Sequence, residues 1–348
     1  MVTAMGCYVI AEAGVNHNGS VELAMKMVDV AAEAGADAVK FQTFTADALV
    51  LRGTETATYQ KVNAGVADQY ELLKALELPA EAYAALAQRC RECGIEFLST
   101  PFDETAADML VGIGMRRIKV PSGEVTNHPF LRHLAALDLP ILLSTGMSTM
   151  EEVRAAVEVI GDERARRGLG GPLEEVLTVL HCTSCYPTAP EDANLLAIRT
   201  MADELGLPVG YSDHTEGTAA AVAAVALGAR VVEKHFTLDR ALPGPDHAAS
   251  SDPEELAHMV RQIRLVERAL GDGRKQPRPS EEPVRRLVRR SLILQEGLPA
   301  GTVLGPEHFV CLRPATGIPP SRLGEVVGRR LARELPAGHV LQWTDLAP

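Results

Sequence analysis

Eight times between Tyr8 and Leu270 a short apolar run gives way to a helix-length amphipathic stretch. Periods of two and 3.6 alternate in this way when parallel strands are linked by crossover helices. The strands are expected at 8–13, 38–43, 96–100, 117–121, 141–145, 177–182, 209–212 and 230–236. The helices are expected at 20–34, 80–93, 104–112, 128–137, 149–160, 194–205, 216–228 and 253–270, with Ser20 capping the first and Gly35 closing it. Eight strand–helix units predict an α/β fold of the (β/α)8 TIM-barrel class. A doubly wound open sheet is the alternative. The excursion 44–78 breaks the rhythm, and a segment that long is expected to carry function or structure of its own.

After the barrel, 271–283 is rich in Gly, Pro and charge and reads as a linker. The segment 284–348 reads as a small β-rich domain, with strands at 290–294 and 309–313 and a turn at Gly301-Thr302. The domains are therefore expected at 1–270 and 284–348. The formal net charge is −12. The tail holds nine arginines against five acids, a net +4, which leaves −16 on residues 1–283. An acidic chain argues against nucleic-acid binding and against docking on an anionic membrane. No apolar run is long enough to span a bilayer, and the first eight residues lack a charged lead-in to an apolar core, so a cytoplasmic protein is expected. Two C-x-x-C pairs, Cys90/Cys93 and Cys182/Cys185, lie too far apart in the chain for a compact zinc module and read as buried free thiols.

Only seven of the 34 basic residues are Lys, so the strand lysines Lys40, Lys119 and Lys234 stand out. In a barrel the catalytic groups sit at the C-terminal ends of the strands. Those ends supply Glu12, Lys40, Gln42, Thr100, Lys119, Ser122, Glu124, Ser144, Ser184, Tyr186, His214, Glu233 and His235. Strand alternation puts Lys40 with Gln42, and Glu233 with His235, on one face each. Lys234 then points outward, toward a salt bridge with the helices. His214 and His235 end neighbouring strands, so they either bind one divalent ion with positions left open for substrate oxygen or form a hydrogen-bonded core pair. Two lysines and several hydroxyls suit a small phosphorylated carboxylate. Glu12 and Glu124 are candidates for general acid/base work if burial raises their pKa. Taken singly, each of these residues also has an ordinary reading as a turn, cap or ion-pair residue.

The motifs at 10–19, 40–43, 99–102, 119–124, 144–147, 181–187, 211–215, 233–236 and 244–247 together resemble the sialic acid synthase family, the bacterial nonulosonic acid synthases. The tail, with Arg289-Arg290-Ser291 and 312–318, resembles the antifreeze-like (SAF) domain that such synthases carry. The resemblance covers nearly the whole chain. It implies condensation of phosphoenolpyruvate (PEP) with the open-chain aldehyde of an N-acetylated amino sugar, with loss of phosphate by C–O cleavage. It places a divalent metal, Mn2+ or else Mg2+ or Co2+, on His214 and His235. Lys40, Thr100, Lys119, Ser122, Ser144, Ser184 and Tyr186 match PEP-holding positions. Gln42, Asp246 and Arg313 match sugar contacts, and Glu12, Glu124 and Glu233 are the catalytic candidates. The family's arginine comes from the partner's SAF domain in a domain-swapped homodimer. Ser184 departs from the pattern, since the best-known bacterial sialic acid synthases have Asn there. Serine is shorter and lacks the amide, so its reach toward PEP is reduced. The implied product is of the N-acetylneuraminate type, with legionaminate or pseudaminate as alternatives. Rival readings are a synthase acting on a sugar phosphate, which the SAF-like tail argues against, and a non-catalytic carbohydrate-binding protein, which the polar strand ends argue against.

Overall fold

The computed structural model describes residues 6–56, 61 and 65–348. Part of the 44–78 excursion and the first five residues of the N-terminal stretch lie outside the described residues. The described residues form eight parallel strands, β1 (Tyr8–Gly14), β2 (Ala38–Thr43), β3 (Glu96–Pro101), β4 (Ile118–Val120), β5 (Ile141–Ser144), β6 (Leu177–Cys182), β7 (Val209–Asp213) and β8 (Val231–His235). Their order is β3-β2-β1-β8-β7-β6-β5-β4, and β3 lies beside β4, which closes the ring. Helices cover the outside: α1 (Val21–Glu33), α2 (Ala80–Cys93), α3 (Glu104–Gly112), α4 (His128–Ala136), α5 (Met150–Arg166), α6 (Ala197–Leu205), α7 (Ala219–Ala226) and α8 (Pro253–Leu270). The strands are buried on both faces, which is why they read as near-continuous apolar runs.

Local chemistry sets the boundaries. Ser20 accepts the Leu23 amide at 3.3 Å and starts α1. Thr149 and Glu152 form a reciprocal capping box at the start of α5. Gly35 (φ 79°) and Gly228 (φ 109°) turn the chain from helix to strand in left-handed conformations, which explains the similar sequences around them. Three helices differ from expectation. α5 runs to Arg166 through Gly161, held by Glu163, which accepts from Arg166 and Arg167. α6 starts at Ala197 because Asn194 takes φ 42°, and α7 starts at Ala219 because Gly217 takes φ 72°. The 44–78 excursion contains short helices at Ala46–Leu49 and Gln69–Leu76, which pack Leu72 and Leu76 against Val15 and Phe44.

The chain divides into Met1–Asp272 and Gly273–Pro348. In the second unit β9 (Ser291–Leu294) pairs antiparallel with β10 (Phe309–Leu312), and isolated bridges add edges at Leu298–Leu335 and Val303–Arg330. Leu292, Leu294, Leu304, Phe309, Ile318 and Leu341 belong to its own apolar core. The stretch 271–283 is not uniformly irregular. A 3-10 turn at Pro279–Glu281 leads into α9 (Glu282–Val288), which crosses the expected boundary.

Candidate active site

The register of the ring gathers the inward side chains at the strand ends. Glu12 lies opposite Lys40 on one side and His235 on the other, Gln42 opposite Thr100, and Ser212 opposite Glu233. A bulge after Glu12 takes β1 into Gly14 at φ 53°. A Cβ there would stand 3.4–3.5 Å from Glu12 Oε1, Gln42 Nε2 and His235 Cε1, so these three side chains surround one point.

Four of the ionisable groups form a buried cluster. Lys40 Nζ lies 2.7 Å from Glu12 Oε2, 3.6 Å from Glu233 Oε2 and 3.0 Å from Thr100 Oγ1. Lys119 Nζ donates to Glu233 Oε1 at 3.0 Å, and the Ser212 hydroxyl donates to the same oxygen at 3.0 Å. Gln42 Nε2 reaches Glu12 Oε1 at 3.3 Å. All four charged side chains are at most 4% exposed. Two carboxyl groups thus face two ammonium groups where water cannot reach them. Burial opposes ionisation of Glu233, but Lys119 and Lys40 outweigh it and hold that carboxyl below the usual range. Burial wins at Glu12, whose pKa is raised despite Lys40. Lys40, with two carboxylates beside it, overcomes its burial and is raised, whereas Lys119, with one, is lowered.

Hydroxyls and imidazoles form the other side. Ser122 Oγ accepts the Gly146 amide at 2.9 Å and lies 3.8 Å from Cys182 Sγ. A Cβ on Gly146 would fall 2.2 Å from Ser184 Oγ and 2.9 Å from Ser122 Oγ, so only glycine lets these serines converge. Ser144 Oγ is buried without a hydrogen-bond partner. The His214 and His235 rings are 5.4 Å apart, and Tyr186 packs obliquely on His214 at 4.1 Å between centroids and meets His235 edge-to-face at 5.5 Å. His214 Nδ1 donates to the Thr183 carbonyl at 2.7 Å, so Nε2 is the nitrogen left for an ion. His235 Nδ1 is buried without a partner, and burial keeps that ring neutral. At His214 burial opposes protonation, but Cys182 and the Thr183 carbonyl outweigh it and raise the pKa; an ion held by this pair, with His235 Nδ1 orphaned, would displace that proton. Among the described residues no group of three or more His, Cys, Asp or Glu is arranged to hold a metal. An ion on this pair would therefore complete its shell with substrate and water oxygens.

Asp246 is 8% exposed, and burial, partly offset by His214, pushes its carboxyl up to about 6. Glu124 stands apart from the lysine cluster. It closes the Ser122–Glu124 turn after β4 and accepts from Asn127 Nδ2 at 2.6 Å. Arg313 is in the second unit, where its Nε donates to the Val288 carbonyl at 2.9 Å. Lys234 does point away from the mouth, but its carboxylate partner is Asp213 of β7 at 3.0 Å, rather than a helix. Cys185 is exposed and Cys93 and Cys311 are half-buried, so the expectation of buried thiols holds only for Cys7, Cys90 and Cys182. Two neighbours of the site escaped the sequence reading. Ser212 sits two residues before His214 in the same strand parity, and that spacing was the available signal. Cys182, whose Sγ lies 3.7 Å from His214 Nδ1, gave no signal beyond its place at a strand end.

Comparison with known proteins gives a consistent picture. The NeuB family model matches residues 27–275 and the SAF domain model residues 289–347. The chain is 50% identical to the N,N'-diacetyllegionaminic acid synthase of Legionella pneumophila, over 99% of this chain and 96% of the relative. It is 42% identical to the Campylobacter jejuni enzyme of the same name, over 92% and 94%. The crystal structure of N-acetylneuraminic acid synthetase from Leptospira borgpetersenii superposes with a TM-score of 0.68 at 33% identity, over 80% of this chain and 90% of that one.

Proposed function

The chain belongs to the NeuB family and carries a SAF domain, and from this premise we propose that it condenses PEP with an N-acetylated amino sugar to give a nonulosonic acid and phosphate. The observation that carries the reading is the buried pair Lys40 and Lys119 at the barrel mouth, with Thr100 on Lys40, Ser122 and Ser184 converging at Gly146, and Ser144 buried with its hydroxyl unpaired. Ammonium groups and directed hydroxyls are what a compact phosphate-and-carboxylate ligand needs. The acceptor is a 2,4-diacetamido sugar leading to a legionaminate-type product, because identity to the two diacetyllegionaminic acid synthases exceeds that to the sialic acid enzyme. N-acetylmannosamine is the alternative acceptor.

In the forward reaction C3 of PEP bonds to the aldehyde carbon, water adds at C2, and the C2–O bond to phosphate breaks. The lysines and hydroxyls hold PEP with its C3 facing the acceptor and stabilise the departing phosphate. Tyr186 joins them beside PEP, and Gln42 and Asp246 bind the sugar. Glu12, whose buried carboxyl favours its proton, supplies that proton to the new alkoxide. Glu233 stays ionised and keeps both lysines charged and in place. His214 and His235 would hold a divalent ion, Mn2+ or else Mg2+ or Co2+, which would supply Lewis-acid polarisation of the aldehyde oxygen. Arg313 contacts the sugar from the SAF domain of a partner subunit in a domain-swapped homodimer, as the family resemblance implies.

Purified protein with Mn2+, PEP and a panel of amino sugars should release phosphate only when both substrates are present. Mass spectrometry should show the extended product, formed fastest from a 2,4-diacetamido sugar. Absence of phosphate release with every amino sugar, or preference for a sugar phosphate, would refute the reading. His235→Ala should lose metal-dependent turnover with its thermal midpoint retained; full activity of the wild type in EDTA would remove the metal from the scheme.

A further inference from the structure

The turn after β1, Asn16-His17-Asn18-Gly19, makes no contact that the chemistry above requires. It reaches instead across to the loop after β8. Asn18 (φ 50°) and Gly19 (φ 72°) are consecutive left-handed residues, and a Cβ on Gly19 would sit 2.6 Å from the Ala75 carbonyl oxygen. The turn is thus built from the residue types that tolerate that backbone. Both hydrogens of the buried Asn16 amide are used, on the Phe236 carbonyl at 2.8 Å and on Ser250 Oγ at 2.9 Å. Ser250 passes its own hydrogen to the Asp246 carbonyl at 2.7 Å.

Asn18 makes a second bridge. Its Nδ2 donates to the Pro243 carbonyl at 2.9 Å, so its Oδ1 faces His247 Nε2 at 3.2 Å. That arrangement puts the His247 proton on Nε2 and leaves Nδ1 to accept from the Thr237 hydroxyl at 2.6 Å. His247 is fully buried, and burial holds it neutral. The two asparagines therefore fix the chain before Asp246 (Pro243), at its carbonyl, and after it (His247). None of these bonds touches the Asp246 carboxylate; they hold the backbone that aims it.

We propose that Asn16 and Asn18 are positioning residues for Asp246, so that the β1 turn sets affinity for the amino sugar while leaving PEP binding alone. The proposal rests on the sugar-binding role given to Asp246 above. In steady-state kinetics Asn18→Ala should raise KM for the sugar about tenfold while KM for PEP stays within about twofold. Asn18→Asp keeps the acceptor for His247 and the left-handed backbone, so it should recover most of the loss. Asn16→Ala should behave like Asn18→Ala if it folds; the half-exposed Asn18 carries the test if it does not. Equal changes in both KM values, or an unchanged sugar KM, would overturn the proposal.

Hydrogen exchange separates this from the proposed function. In Asn18→Ala, exchange should rise across 237–251 and not in the barrel strands. If the wild type turns over no amino sugar, the proposed function fails, and exchange alone decides whether the clasp stands. Unchanged exchange over 237–251 would overturn the clasp whatever the activity.

Discussion

Glu12 and Glu233 are the same residue type beside the same ammonium group, yet they hold their protons differently. Lys40 is 2.7 Å from one and 3.6 Å from the other, but Glu233 also has Lys119 and Ser212 on its remaining oxygen. Number of partners, more than distance to any one, decides which carboxyl stays charged in a buried site. Asp246 extends the argument, since it has no lysine within reach and burial pushes it up to about 6. In the sugar-binding role proposed for it, its carboxylate would accept hydrogen bonds from sugar hydroxyls, and protonation would remove part of that capacity. KM for the sugar should therefore rise as pH falls through about 6, and Asp246→Asn should flatten that part of the profile. Initial rates against pH at fixed saturating PEP would check this, and an unchanged slope in Asp246→Asn would contradict it. The effect on stability has the opposite sign. A raised carboxyl contributes stability that is fully present below its unfolded pKa and is lost as pH rises through its folded value, so ionising Asp246 for binding costs some stability of the fold.

At the scale of the element, β7 carries Ser212 into the site only because it can lie close to its neighbours. A Cβ on Gly210 would stand 2.5 Å from Leu180 Cδ2 and 2.6 Å from the Val231 carbonyl oxygen. Backbone cannot yield as a side-chain end can, so Gly210→Ala should wedge β7 from β8 and destabilise the barrel by about 1–3 kcal/mol. Urea unfolding checks the loss, and phosphate release should fall with it because His214 follows β7 directly. The strands and most helices were legible because alternation and capping are local properties of the sequence, as at Ser20 and Gly35. Helix ends at Asn194 and Gly217 were not, because a left-handed residue inside a helical pattern is a conformational choice that composition alone does not fix. In the site, strand ends nominated Lys40, Lys119, Glu12 and Glu233 together. Which carboxylate faces which ammonium depends on register across the ring, and that pairing became visible only in the structure. The Asn16 and Asn18 bridges join positions more than 200 residues apart, so no local pattern announces them.

The whole molecule is charged unequally, with −16 before Val284 and +4 after it. In the second unit Arg285, Arg286, Arg289 and Arg290 line a cleft of about 560 Å3, with Glu282 as the acidic neighbour. A basic small unit and an acidic large one attract at long range, which suits assembly between copies as well as within one chain. The proposed exchange of the SAF domain makes a prediction that neither single variant can make. Arg313→Ala should weaken sugar use far more than PEP binding, and His235→Ala should be inactive. If Arg313 acts in trans, a mixed dimer of the two variants has one barrel with intact imidazoles facing an intact arginine. Unfolding and refolding the two proteins together at equal concentration should then restore about a quarter of wild-type activity, since half of the random dimers are mixed and each has one good site. If Arg313 acts in cis, each chain in the mixed dimer keeps its own defect. Activity then stays at the mean of the two variants, and the exchange is refuted while the barrel chemistry stands.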